Sequence, residues 1–513
     1  MKNLFLLVFS FAFVGAMAQP VTFATDVAPI IYSNCTSCHR AGEIGPMPFT
    51  NYQQVSQYGS MIAQVTQNRS MPPWPADRNY SHFIGERGLS ATDIQKIQDW
   101  VAQGKPRGDS TLEPPAPTFP TGSQLGTPNL VLSMSQTYTI QGNNTDDYRN
   151  FVIPSGLLQD RQIAAIEFRP GNRRIVHHAL IGYDTTGTAR RKDQQYAGYG
   201  YPGFGFNADV QGEFTGYTPG SQVLRYPSGI AKRLPANADI VVQIHYAPSS
   251  VSDTDRSTLN IFFAQGTVTR QAITYAANPY DFPNGANSFV IQPNTTPTFR
   301  AIRRVPYDIS MMSVYPHAHL LGKTWKTYAV TPRNDTIPLI KIDDWDFNWQ
   351  GAYTFPKFVK IPALSNIIVE GSYDNTTNNP LNPSNPPRLV TWGESTTDEM
   401  FLNYLTFVPY VTGDENRALG SKENPAQGTI TTFKVYPNPV KGRGNVEVYL
   451  ENSSMVQFQL VDVQGKVVKT YPKEVFSAGL QVKSLDFSGL AKGMYFISLE
   501  TSEGKGIQKI YVE

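Results

Sequence analysis

Cysteine is nearly missing from this chain. Its 513 residues hold two, Cys35 and Cys38, and both belong to one short motif. No disulfide framework can therefore staple the rest, and the large domains must hold together by packing alone. Charge is also sparse and balanced, with 43 Lys and Arg against 41 Asp and Glu, a formal net charge of +2 and no basic run. That balance argues against a nucleic-acid partner. Beyond the N-terminus no stretch is long and apolar enough to cross a bilayer, so no transmembrane segment is expected. Histidine is scarce too, at seven, yet five of the seven fall into three short motifs. What the chain has in quantity is Tyr, Phe, Gly and Pro, at 27, 28, 40 and 39. This profile suits turn-rich β-domains and excludes coiled coil or wholesale disorder. The length calls for three or four domains.

The N-terminus reads as a signal peptide over residues 1–18. Lys2 gives a positive start, Leu4 to Val14 is an apolar run, and Ala16-Met17-Ala18 forms a small-residue cleavage site. The run is short for an uncleaved anchor. The mature protein is expected outside the cytoplasm, secreted or at the cell surface.

Residues 20–107 read as a small haem domain. Cys35-Thr36-Ser37-Cys38-His39 matches C-x-x-C-H. Two thiols one helical turn apart can each bond a haem vinyl group, and the next residue offers imidazole to the iron. A surface disulfide would not explain His39, and a zinc pair lacks further ligands nearby. Asp26 to Asn34 should form the helix leading in, and Ala91 to Gly104 a closing helix. Met71, in Ser70-Met71-Pro72-Pro73-Trp74, is the candidate second axial ligand; a core methionine is the alternative. His82 has no motif and reads as a surface residue. The stretch resembles class I cytochrome c domains in both motifs. Residues 108–127, with Pro114, Pro115, Pro117 and Pro120, read as a stiff linker.

From Leu130 the chain becomes short β-type runs broken by turn residues, such as Asp239 to His245 and Asn366 to Glu370. Two sandwiches fit this length, over 128–285 and 286–412. Four motifs with metal-binding side chains lie here: His177-His178, Gln243-Ile244-His245-Tyr246, His317-Ala318-His319 and Asp398-Glu399-Met400. Imidazole suits copper or zinc, while thioether favours copper. Proximity in sequence gives two sets, His177, His178 and His245, then His317, His319 and Met400. His317 and His319 share a face if both lie on one strand. His177 and His178 cannot share one unless the strand ends, twists or bulges there. Turn or core histidines without metal are the bland alternative.

Together the His-His pair, Gln-X-His-Tyr, His-X-His-X-Leu-Gly and Asp-Glu-Met resemble the copper type II ascorbate-dependent monooxygenases over roughly residues 130–410. That family includes peptidylglycine α-hydroxylating monooxygenase and dopamine β-monooxygenase. The resemblance implies two jelly-roll-like sandwiches with one mononuclear copper each. His177, His178 and His245 would hold the electron-transfer copper; His317, His319 and Met400 would hold the copper that activates oxygen. It further implies hydroxylation of an aliphatic C–H bond of a small organic substrate by O₂, with single electrons from ascorbate or a redox protein. Tyr404 matches a tyrosine of the family's substrate pocket. Two departures stand out. The animal enzymes are rich in disulfides, which this chain cannot form in its sandwiches. Peptide-hydroxylating members carry arginine two residues before His-X-His, where this chain has Tyr315, so a peptide terminus is a poor substrate guess.

Residues 413–428 read as a second linker and 429–513 as a compact β-domain. The opening Tyr436-Pro437-Asn438-Pro439 and the ending Gly493-Met494-Tyr495 resemble the type IX secretion sorting domain, an immunoglobulin-like β-sandwich. An ordinary accessory module is the alternative. The expected architecture is thus multidomain and mainly β: a small α-helical cytochrome c-like domain, two jelly-roll-like sandwiches and a C-terminal immunoglobulin-like sandwich. The expected function is a secreted copper monooxygenase with a tethered c-type haem. A non-catalytic electron carrier or copper-binding surface protein is the second reading.

Overall fold

A computed structural model describes residues 20–119, 122–203, 210–220, 223–393, 395–419, 428–429, 433–450, 454–462, 466–477, 479–501 and 504–513. The expected signal peptide lies outside them, as do residues 420–427 of the second linker. The chain forms two compact units, one of residues 1–119, 132–259 and 263–419, the other of 120–131, 260–262 and 420–513. Strands dominate both, as the sequence leads one to expect.

The first unit opens with helices. A π-helical turn, Phe23–Val27, runs into Ala28–Asn34, and Tyr52–Gln57, Gly59–Gln67 and Ala91–Ala102 follow. Asn51 and Ser90 cap two of these by accepting from the backbone N–H of Gln54 and Asp93. Their apolar faces close over Phe23, Ile31, Val55, Ile62, Ile97 and Trp100. Residues 72–87 then lay this helical part directly onto the β-structure. Trp74 and Ile84 pack against the core of the second sandwich. The N–H groups of Asp77 and Ile84 donate to the carbonyls of Lys341 and Thr354, both at 2.8 Å.

The expected linker also differs from a free spacer at its start. Ser110–Leu112 forms a 3₁₀ turn. Glu113 accepts from Tyr32 at 3.1 Å and from Arg107 at 3.0 Å, and the Arg40 guanidinium lies 3.7 Å from the Phe119 ring centre. Proline content predicts extension but is blind to such partners. The position of the helical part relative to the sandwiches is therefore set by packing within the unit rather than by tether length.

Seven strands position the site. β1 (Asp147–Pro154), β2 (Val176–Asp184), β3 (Gly212–Tyr217) and β4 (Asp239–Tyr246) belong to a sheet ordered Tyr201–Pro202, β1, β4, β2, β3. Every residue of β4 is buried, as a central strand with both faces covered requires. In the second sandwich β5 (Ile273–Ala277), β6 (Ile309–His317) and β7 (Leu402–Pro409) pair in the order β5, β7, β6, with Tyr353–Ile361 beyond β6. A second sheet of Thr298–Arg304, Asn366–Tyr373, Gly322–Val330 and Thr336–Ile342 shares its core, Met311, Val314 and Leu405 meeting Trp325, Ala329 and Val369.

The second unit is a mainly antiparallel β-domain, with Phe433–Lys441 pairing parallel to Gly504–Val512, and its strands alternate as expected. Ser454–Val461 buries every other residue, and Val446, Phe458, Leu460, Ile497 and Leu499 form its core.

Candidate metal centre

The irregularity that adjacent histidines demand is present on β2. Val176 opposes Tyr246 while His178 opposes His245, so His177 is the extra residue of a bulge. The bulge turns both imidazoles toward one point. Nδ1 of His178 lies 3.2 Å from Nδ1 of His177 and 3.3 Å from Nδ1 of His245. One ring nitrogen from each lies within 4.8 Å of the others. Asp146 accepts from Nε2 of His245 at 2.6 Å, and the Tyr148 ring stacks on His245 at 4.1 Å. A carboxylate on the far nitrogen fixes tautomer and ring angle, as metal-bound histidines require. Three ring nitrogens converging on one volume fit a copper or zinc ion.

His317 and His319 meet by another device than the same-face argument. β6 ends at His317, and His319 lies beyond it. Their ring centres are 5.3 Å apart. What holds the second ring is Glu399, a residue with no role in the sequence reading beyond its place in Asp-Glu-Met. It is fully buried, and its carboxylate accepts from the N–H groups of His319, of Leu321 at 3.0 Å and of Met400 at 2.7 Å. One side chain thus ties the backbone of His319 to that of Met400 across 80 residues. Burial pushes this carboxyl up to about 8, against the pull of the backbone donors. Nδ1 of His319 faces the carbonyl of Asp398 at 3.2 Å, which leaves Nε2 for a ligand. Met400 is buried, and its carbonyl accepts from Tyr373 at 2.7 Å.

The two sets, separate in sequence, adjoin in space. The rings of His178 and His317 are 6.2 Å apart. Phe347 stacks on His177 at 5.5 Å and meets His319 edge-on at 6.2 Å. Five imidazoles form one continuous cluster where the sandwiches meet.

Burial pushes His317 down to about 3 and His177 and His319 to about 4. All are uncharged at neutral pH. Because these values lie below the unfolded value of about 6.5, the unfolded chain binds more protons on acidification. The metal-free protein should therefore lose stability as pH falls from about 6.5 toward 4, by up to ~1.4 kcal/mol per pH unit for each histidine. Urea midpoints at pH 7, 6 and 5 check this; midpoints that do not move would show rings already exposed.

In the helical part, the turn after Ala28–Asn34 carries the C-x-x-C-H motif. His39 N–H donates to Cys35 O at 2.9 Å, and both thiols are free. His39 Nδ1 lies 3.1 Å from Met47 O, and its ring stacks on Phe49 at 4.6 Å. Nε2 is left for an axial bond. Two free thiols and a fixed imidazole fit a c-type haem. Met71 sits on a loop with 42% exposure, its N–H bonded to Val65 O at 3.0 Å. A Cβ on Gly45 would come within 2.8 Å of His39 Nδ1 and 2.7 Å of Cys38 O. In haem-loaded protein, Gly45→Ala should displace the imidazole and shift or broaden the absorption bands; unchanged spectra would rule His39 out as an axial ligand. His82 is exposed and bonds to Glu86, as a surface residue would.

Arg87 joins the two parts. Its Nη1 lies 3.9 Å from Cys38 Sγ, its Nη2 donates to Gly220 O, and its guanidinium stands 4.7 Å over the Trp349 ring. Trp349 is two residues from Phe347, which stacks on His177. Tyr315 and Tyr404 oppose each other on β6 and β7, rings 5.7 Å apart.

Residues 296–419 match the family described as copper type II ascorbate-dependent monooxygenase, C-terminal domain. Residues 434–513 match the secretion system C-terminal sorting domain. The chain thus carries a copper monooxygenase C-terminal domain, which implies copper, and the sorting domain of an exported protein. His317, His319, Met400 and Tyr404 fall inside the first match; His177, His178 and His245 precede it. No curated protein matches the chain. Among solved structures, a β-glucuronidase of Faecalibacterium prausnitzii is 11% identical over 46% of this chain and 40% of its own, with a TM-score of 0.14. A putative β-galactosidase of Bacteroides fragilis is 11% identical over 48% and 36%, at 0.14. The infectious bursal disease virus VP2 subviral particle is 9% identical over 58% and 76%, at 0.17. The chain spans about two fifths of the first of these, and such scores carry no argument.

Proposed function

We propose that this protein is an exported copper monooxygenase. It would hydroxylate an aliphatic C–H bond of a small organic substrate with O₂, two electrons being supplied singly by an external reductant, and its residues would hold a c-type haem and two coppers for that purpose. The observation that carries this reading is the convergence of His177, His178, His245, His317 and His319 beside a segment that matches a copper monooxygenase domain. His177, His178 and His245 would hold one ion; His317, His319 and Met400 the other. Bound copper would supply stepwise electron transfer and activation of O₂. The chain's own residues orient and insulate. Asp146 holds the His245 ring, Glu399 and Asp398 hold His319, and Phe347 covers His177. Tyr315 and Tyr404 line the substrate side.

Haem on Cys35 and Cys38, with His39 and Met71 as axial ligands, would be the electron entry, fed by ascorbate or a redox protein. Arg87 and Trp349 are the through-protein link from Cys38 toward His177. Arg87→Ala should slow haem reoxidation by the copper-loaded protein severalfold while leaving the haem spectrum intact. An unchanged rate would rule this link out. The sorting domain supports passage through type IX secretion machinery, with release or surface attachment afterwards.

Metal analysis combined with oxygen uptake tests the whole reading. Two coppers per chain and O₂ consumption dependent on a reductant and an organic substrate are expected. Copper bound without O₂ consumption under any reductant would instead make this a copper-binding or electron-carrying surface protein.

A further inference from the structure

We propose that an open cavity on the outer side of His245 binds a neutral saccharide ring, and that Asp146, which the cavity and His245 share, carries its occupancy to the metal set. The saccharide site goes beyond the monooxygenase reading and does not depend on it. The coupling rests on the reading of His177, His178 and His245 as metal ligands.

The cavity measures about 390 Å³, the size of a small-ligand site. It lies within the first sandwich. Tyr138–Ile140, the turn over 141–147 with the start of β1, and residues 196–199 and 246–249 enclose it. The turn is held in shape by its own bonds. Asn143 accepts from the N–H and the hydroxyl of Thr145 at 3.1 and 2.7 Å, and the N–H of Asn144 donates to Ser249 O at 2.8 Å. The histidine cluster lies on the other side of His245. Nδ1 of His245 faces Nδ1 of His178, while Nε2 points to Asp146. A ligand in this cavity therefore stays out of the cluster and meets the carboxylate behind it.

The floor is a pair of charges already matched to each other. Arg149 donates to Asp147 at 2.9 Å, both side chains are mostly buried, and Asp147 also accepts from the Tyr138 hydroxyl at 2.5 Å. The Arg149 guanidinium stands 5.4 Å from the ring centre of Tyr138 and 5.3 Å from that of Tyr196. Ligand classes fare differently here. An anion meets the carboxylates of Asp146 and Asp147. An ammonium meets a guanidinium that already uses the two aromatic rings. An apolar ligand strips water from Asp147 and Arg149 and returns no hydrogen bond. A hydroxyl both donates and accepts, so adjacent hydroxyls on a ring suit a carboxylate beside a guanidinium. Among the described residues no hydrogen bond engages the Gln141 side chain or the Tyr199 hydroxyl, so both can turn to a ligand. Tyr196 is 41% exposed and offers an aromatic surface to the C–H face of a sugar.

Isothermal titration of the full-length protein tests the site with glucose, galactose, mannose, xylose and fucose, and with the amine and uronate forms of glucose and galactose. The tightest binder should be neutral, and Tyr196→Ala and Gln141→Ala should each weaken it about fivefold or more. Both side chains are exposed, so a folding defect would not account for the loss. Equal binding of the methyl glycoside would assign the site to the end of a glycan; binding of the reducing sugar alone would assign it to a free sugar. No binding by any member, a charged member binding tightest, or an affinity that both variants leave alone overturns the site. In copper-loaded protein, saturating sugar should shift the EPR hyperfine splitting of one copper, and an unchanged spectrum with sugar bound overturns the coupling. Sugar binding by a protein that takes up no copper would keep the site and sink the metal reading instead.

Discussion

Glu399→Ala is expected to lower the unfolding free energy by at least about 3 kcal/mol and to prevent metal binding by the set that includes His319 and Met400. Three buried backbone N–H groups end on this carboxylate, and each one left without an acceptor costs about 1–3 kcal/mol. The functional loss has a separate cause. Glu399 fixes the backbone of His319 relative to Met400, so its removal frees both ligands to drift. Glu399→Gln keeps one oxygen acceptor but turns an amide toward the donors, and it should fall between wild type and alanine. Urea unfolding with copper analysis at matched folded fraction separates the two effects. Near-native stability with full copper occupancy would show that the contacts do not position the site.

His178→Ala should have the second large effect, because this ring touches both halves of the cluster. It sits 3.2 and 3.3 Å, nitrogen to nitrogen, from His177 and His245, and its ring centre is 6.2 Å from that of His317. In wild-type protein fully loaded with Cu(II), neighbouring sites should broaden each other's EPR lines. His178→Ala should lose about one copper per chain, remove that broadening and lower oxygen uptake at least about a hundredfold. Sharp, non-interacting wild-type spectra would mean that the two sets do not lie side by side in solution.

Glu399 was outside the candidate residues read from the sequence, for a physical reason. A glutamate in a β-type run ordinarily reads as a solvated side chain. Only burial and the loss of competing water make it a backbone clamp. The adjacent His177 and His178 show the reverse situation. Their motif required a bulge, and the register slip at Val176 to His178 supplies it. The His317 and His319 pair converges although β6 ends between them, because Glu399 supplies the positioning that a regular strand would have given.

By itself the sequence determined which side chains could carry the chemistry: scarce histidines in ordered motifs, a thioether near an acidic pair, two cysteines committed to one turn, and strand-type alternation around them. Those features are local, fixed by residue type and a spacing of a few positions. Tertiary structure alone decided that the two histidine sets share one junction and that residues 72–87 dock the helical part on the second sandwich. Each of these depends on bulges and on contacts between residues some tens to hundreds of positions apart, and neither composition nor periodicity encodes them in readable form.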